Sequence, residues 1–150
     1  MSRPWLLDVN VLLAWLWPAH QAHKVAHAWM QSHSEESWAT CPITEMGFVR
    51  IITNPAFSPH VPSWAEALEV LRLHTDGNRH HSFWQDTLTV DAVNRQLGSR
   101  IKGPGQVTDA YLLALAMDHK GRMVTFDYRM EALAPTVSAE RDSLQILRLE

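Results

Sequence analysis

The sequence predicts an α/β fold of three layers, a central and mainly parallel sheet held between helices in the doubly wound manner. Three observations lead there. Short apolar runs alternate with helix-length segments along the chain, and repeated β-α units of this length imply parallel strands joined by right-handed crossovers. The 150 residues, 46% hydrophobic and 19% charged, suffice for a sizeable core but not for a second one, so 1–150 is expected to be a single domain. Finally, Asp8, Glu45, Asp109 and Asp127 each stand where an apolar run hands over to a helix or just inside that helix, at the rim where open sheets bind ligands.

The elements follow in order. Trp5 to Asp8 is a short apolar strand, and Asn10 to Trp17 continues as a helix until Pro18 stops it. A second helix spans His20 to Ser32, with Ala22, Val25, Ala26, Trp29 and Met30 as its apolar stripe. Ser37 to Cys41 is the second strand; Pro42 suits a first helical position, so Ile43 to Thr53 is a helix with Glu45 in its first turn, ended by Asn54-Pro55. Three prolines make Asn54 to Pro62 a loop. Ser63 and Glu66 fit a capping box, in which serine oxygen and glutamate satisfy otherwise orphaned backbone donors of the next helix. His81 to Trp84 is a strand, Thr89 to Leu97 a helix, and Gly98 to Gln106 a glycine-rich connection. Thr108 is expected to cap a buried helix from Asp109 or Ala110 to His119, closed by Gly121. Arg122 to Phe126 is a buried strand ending at Asp127, and Ser143 to Leu149 a last strand at a sheet edge.

Composition removes several function classes. A formal net charge of −3 and a pI near 6.3 provide no global cationic field, so a nucleic acid has to be held by a local patch. Cys41 is alone, which excludes an internal disulfide and a Cys-rich zinc site and fits a reducing cytoplasm. Asp8 and Asn10 interrupt the apolar N-terminal stretch, so it does not read as a signal peptide, and no run approaches a membrane span. Lys102-Gly103-Pro104-Gly105 lacks the Gly-Lys-Ser/Thr ending of a phosphate loop. A dehalogenase-type phosphatase needs a second aspartate two residues after the first, and Asn10 stands there.

The four acids remain. Clustered carboxylates repel one another and take up protons unless a cation compensates, and an oxygen-only set selects Mg²⁺ or Mn²⁺ over zinc. Phosphodiester hydrolysis uses such an ion to make a nucleophile of bound water. Taken singly, Asp8 and Asp109 could be helix caps, Glu45 a first-turn acid, Asp127 a turn residue and Asp118 a solvated charge. Four coincidental caps at one rim are a poorer account than one site.

The ordered motifs carry a family resemblance. Leu6-Leu7-Asp8-Val9-Asn10-Val11-Leu12, Thr44 to Arg50 with Asn54-Pro55, Thr108-Asp109-Ala110-Tyr111-Leu112-Leu113-Ala114-Leu115-Ala116 and Thr125-Phe126-Asp127 resemble the successive motifs of a PIN-domain ribonuclease of the VapC toxin type. The resemblance implies a Mg²⁺- or Mn²⁺-dependent endoribonuclease that is a homodimer inhibited by a VapB antitoxin. It implies Asp8 and Asp109 as principal metal ligands, Glu45 and Asp127 as acidic ligands acting directly or through water, and Asn10 and Thr125 as supporting residues. Met130 stands where such proteins often carry an aromatic or another large residue, a matter of packing.

RNA needs cations, and Arg95, Arg100 and Lys102 cluster just before Asp109, where they are expected to reach a phosphate backbone. His20, His23 and His27 recur at helical spacing but lack an accompanying thiol or carboxylate, and so read as a solvated face, as does His80-His81. Trp15, Trp17 and Trp29 exceed what one helix stripe buries, which points some of them to a dimer or antitoxin interface. The other function classes left open are a housekeeping RNA-processing nuclease without an antitoxin and a non-catalytic RNA- or protein-binding domain.

Overall fold

A computed structural model describes residues 3–135 and 142–149. Strands β1 (Trp5–Leu7), β2 (Trp38–Thr40), β3 (His81–Phe83), β4 (Arg122–Thr125) and β5 (Leu144–Ile146) form one sheet in the order β3-β2-β1-β4-β5, and every pairing is parallel. The expectation is a mainly parallel sheet; among the described residues it is wholly parallel. β1 is the central strand, with Trp5 level with both Trp38 and Arg122.

Alternation along the strands divides the core in two. Trp5, Leu7, Trp38 and Val124 point to one face, where they pack with α1 (Val9–Leu16), α2 (His23–Ser32), α3 (Pro42–Ile52) and α4 (Trp64–Thr75). Leu6, Ala39 and Met123 point to the other, against α5 (Val90–Leu97), α6 (Val107–Asp118) and the 3₁₀ segment Tyr128–Leu133. Strands buried on both faces read as unbroken apolar runs, as β1 does.

Local chemistry sets the element ends. Asp8 caps α1, and the box between Ser63 and Glu66 forms in both directions, Glu66 N–H to Ser63 Oγ at 3.1 Å and Ser63 N–H to Glu66 Oε1 at 2.9 Å. Two expectations shift. Helix α2 begins at His23, because His20 is spent on a turn in which its Nδ1 accepts from Ala22 N–H at 3.0 Å. Thr108 does not cap α6: the 3₁₀ turn Pro104–Gln106 feeds the chain into helix at Val107, placing Thr108 and Asp109 inside the first turn. Met130, 1% exposed, is core, as the packing reading required.

Gly47 lets α3 approach α1 beneath the acidic rim, since a Cβ built there lies 2.6 Å from Val9 Cγ2. Val9 is β-branched and yields little. Gly47→Ala is therefore expected to lower the urea midpoint, corresponding to about 1–2 kcal/mol, the strain outweighing alanine's better helix propensity.

Candidate active site

Asp8, Asp109 and Asp127 line one cleft of about 300 Å³, together with Asn10, Arg50 and Thr108. Asp8 and Asp127 follow β1 and β4, which are neighbours, and Asp109 comes from the first turn of α6, whose buried residues Ala110 and Leu112 to Ala116 anchor it to the sheet.

Asp8 is 7% exposed. Its Oδ1 accepts from Val9 N–H at 2.7 Å and its Oδ2 from Thr125 Oγ1 at 2.7 Å. Thr125, fully buried, also accepts from Asn10 Nδ2 at 3.1 Å and from Asp127 N–H at 3.0 Å, while Asn10 Oδ1 accepts from Phe126 N–H at 3.0 Å. Asn10 and Thr125 thus stitch the end of β1 to the end of β4.

The charges are under strain. Burial pushes the Asp8 carboxyl up to about 6, the hydrogen bonds from Thr125 and Val9 oppose the rise, and the charges of Asp109 and Asp127 add to it. Asp109 is raised too, by burial first and then by Asp127, with Arg129 opposing. Asp127 lies below the ordinary carboxylate range because Arg129 hydrogen-bonds it: Nε to Oδ1 at 2.9 Å and Nη2 to Oδ2 at 3.0 Å.

Glu45 stands apart. It is not among the residues lining the cleft, and its Oε2 accepts instead from Thr40 Oγ1 at 2.6 Å, which in turn lies 2.8 Å from His81 Nε2. Of the four acids expected at the rim, Asp8, Asp109 and Asp127 line this cleft together. Among the described residues no group of three or more His, Cys, Asp or Glu side chains is arranged to hold a metal ion. The cleft offers Asp8 and Asp109 as oxygen donors, with Asp127 engaged by Arg129. That set suits Mg²⁺, which takes one or two carboxylates and keeps several waters, better than an ion demanding a full protein cage.

The PIN domain family matches residues 5–134. Ribonuclease VapC44 of Mycobacterium tuberculosis is 45% identical over 145 residues, covering 95% of this chain and 98% of that protein. The chain belongs to the VapC family of PIN domains. Ribonuclease VapC39 of the same species is 40% identical to this VapC-family chain, across 89% of its length and 94% of the relative's. The fold is shared with the crystal structure of VapBC2 from Rickettsia felis bound to a DNA fragment from their promoter, at a TM-score of 0.60 and 9% identity over 98% of this chain and 99% of that one.

In this VapC-family chain the three cations expected to reach RNA do not line the cleft. Arg95 is ion-paired with Asp91, the Nζ of Lys102 donates to Ser99 O at 3.1 Å, and neither these two nor the half-buried Arg100 lines the cleft. Sequence spacing placed them near Asp109, but the intervening 3₁₀ turn ties Lys102 back to its own connection. Arg50 lines the cleft instead, and Arg129 grips Asp127. Arg129 was legible in principle, because an aspartate with an arginine two residues on in a turn is a self-pairing pattern; Arg50, on a helix surface, carries no such signal.

The surplus aromatic residues are also accounted for internally. Trp29 is buried and edge-on to Trp5 at 5.1 Å, Trp15 is edge-on to Trp38 at 5.2 Å, and Trp17 meets Phe57 at 5.4 Å. Four helices on one face need more filling than one stripe supplies, and Trp64, 67% exposed, is the tryptophan left on the surface. His23 and His27 pack edge to face with each other at 5.7 Å.

Proposed function

We propose that this VapC-family ribonuclease, of the toxin type in toxin–antitoxin pairs, is an endonuclease that hydrolyses RNA with Mg²⁺ or Mn²⁺ held principally by Asp8 and Asp109. Asp127 and Glu45 contribute directly or through water. The observation that carries this reading is the convergence of Asp8, Asp109 and Asp127 on one cleft from three separate segments, with Asp8 and Asp109 both resisting ionisation there. Clustering acids in a buried place costs stability, and a divalent cation offsets that cost.

When bound, the ion supplies a lowered pKa for water and a Lewis acid for phosphoryl oxygen. The chain's own residues do the rest. Thr125 and Val9 hold the Asp8 oxygens in fixed directions, Asn10 locks that arrangement to β4, and Thr125 orients the backbone at Asp127. Arg50 at the cleft wall is placed to meet a phosphate backbone, a task the sequence suggested for Arg95, Arg100 and Lys102. The mutual hydrogen bonding of Asp8, Asn10 and Thr125 leaves the carboxylate little freedom to swing, which favours preorganised chemistry over rearrangement on binding.

The toxin reading carries partners with it: a VapB-type antitoxin, an RNA substrate, a second copy of the chain in a homodimer, and a cytoplasmic setting for 1–150 as a single domain. Similarity to VapC44 and VapC39 supports it over a housekeeping nuclease. No helix among the described residues is long and apolar enough to cross a membrane. The decisive experiment incubates the purified chain and total bacterial RNA with Mg²⁺, with Mn²⁺ and with EDTA. Internal cuts in either metal and intact RNA in chelator are expected; cutting that persists in EDTA refutes the metal mechanism, and no cutting in any arm supports a binding domain instead.

A further inference from the structure

We infer that Thr40 and His81 are positioning residues for RNA cleavage, joined in a directional hydrogen-bond chain that fixes the carboxylate of Glu45. The inference rests on the reading of this chain as a ribonuclease whose acidic rim includes Glu45. Thr40 is the last residue of β2 and fully buried. Its hydroxyl lies 2.6 Å from Glu45 Oε2 on one side and 2.8 Å from His81 Nε2 on the other. A threonine hydroxyl has one proton, and an ionised glutamate only accepts. Thr40 therefore donates to Glu45, and the remaining lone pair must receive the proton on His81 Nε2. The order of donation is His81 to Thr40 to Glu45.

The sheet explains why these three meet. In the β2–β3 ladder His81 is level with Trp38, and its ring lies tilted against the Trp38 ring at 4.5 Å between centroids. Thr40 is two residues beyond Trp38 and so on the same face of β2. The ring that covers the tryptophan thus reaches the threonine with its Nε2 edge. Glu45 enters from the first turn of α3, whose start is set by Pro42 and by the hydrogen bond from Cys41 N–H to Thr44 Oγ1 at 3.0 Å. Backbone and packing place the glutamate's Cα; the buried hydroxyl selects where its oxygens go. Edge strand β3 thereby acquires a part in the chemistry although it bears none of the acids.

Two measurements test this. In the RNA-free protein, long-range ¹H–¹⁵N correlations are expected to show the His81 proton on Nε2; a proton on Nδ1 with bare Nε2 overturns the chain of donors. In single-turnover cleavage of total bacterial RNA with Mg²⁺, Thr40→Val and His81→Phe are each expected to slow cutting at least about tenfold, in line with loss of an outer partner at a metal site. Thr40→Ser, which keeps the hydroxyl, should restore near-normal cutting, and His81→Phe, which keeps a ring against Trp38, guards against a folding defect in Thr40→Val. The double variant Thr40→Val/Glu45→Gln should be no slower than Glu45→Gln alone, because both substitutions act through one carboxylate. Full activity of Thr40→Val, or a double variant that loses the product of the two single effects, overturns the inference. Asp8→Asn run in parallel separates the two levels: if it is inactive while Thr40→Val is normal, only the positioning chain is wrong, and if it stays active, the metal-ribonuclease reading itself fails.

Discussion

Asp8→Asn is expected to slow RNA cleavage by about 1,000-fold, roughly 4 kcal/mol of transition-state stabilisation, while making the metal-free protein more stable at neutral pH. The two effects have one cause. Asp8 carries a folded pKa of about 6 against an ordinary value of 3.8, so the native state binds more protons than the unfolded chain between those limits. Stability is then complete below pH 4 and falls as pH rises through 6, by about 3 kcal/mol in all at 1.36 kcal/mol per unit. Asparagine retains an oxygen for Val9 N–H and has no charge to desolvate, so its melting temperature should decline less across pH 4 to 7 than the parent's, the remaining slope coming from Asp109. Adding Mg²⁺ should recover the parent's loss, since a ligand at 100 times its Kd contributes about 2.7 kcal/mol, and should leave Asp8→Asn unmoved. Parallel melting curves of the two proteins with identical pH slopes would contradict the assignment of Asp8.

Leu113→Ala should bring the second large effect, on folding rather than chemistry. Leu113 is fully buried in α6, a helix packed on the sheet through Ala110 and Leu112 to Ala116 and carrying Asp109 in its first turn. Truncating a leucine in such a place costs about 2–5 kcal/mol, through lost transfer energy and an unfilled cavity. For a chain of this size that corresponds to a fall in Tm of roughly 10 °C. Cleavage assayed well below the transition should fall far less than in Asp8→Asn, because the acid itself remains. A Tm within a degree or two of the parent would show that α6 is not the brace described.

Much of this was legible in the residues. The apolar runs Trp5 to Asp8 and Arg122 to Phe126 marked two strands, which the structure pairs at the middle of the sheet, and the Ser63–Glu66 box marked a helix start that the structure repeats. Placing acids at strand ends and helix starts was enough to bring Asp8, Asp109 and Asp127 together, because parallel topology sends strand ends and the N-termini of the crossover helices to one rim. What was not legible lies in side-chain pairings, most of them between near neighbours and one across the sheet, that no motif encodes. Nothing in the residues around Glu45 reveals that Thr40, itself in contact with His81 of β3, holds its carboxylate. Likewise, cation clustering in sequence did not show that Arg95 answers Asp91 within its own helix, whereas Arg50 reaches the cleft wall from α3. The start of α6 was missed because a 3₁₀ turn hands its hydrogen bonding on to the helix without a side-chain cap.

The central place of β1 has a consequence for biosynthesis. Asp8 leaves the ribosome early, but the strand that closes the far edge of β1 is made more than a hundred residues later and brings the Thr125 hydroxyl and Asp127 with it. Until then the first aspartate has neither its clamp nor its neighbour, and the slow step is a long-range pairing. A nascent or prematurely terminated polypeptide ending at Gly121 is accordingly expected to be harmless to the cell that makes it, which expression of that fragment beside the full chain would reveal directly.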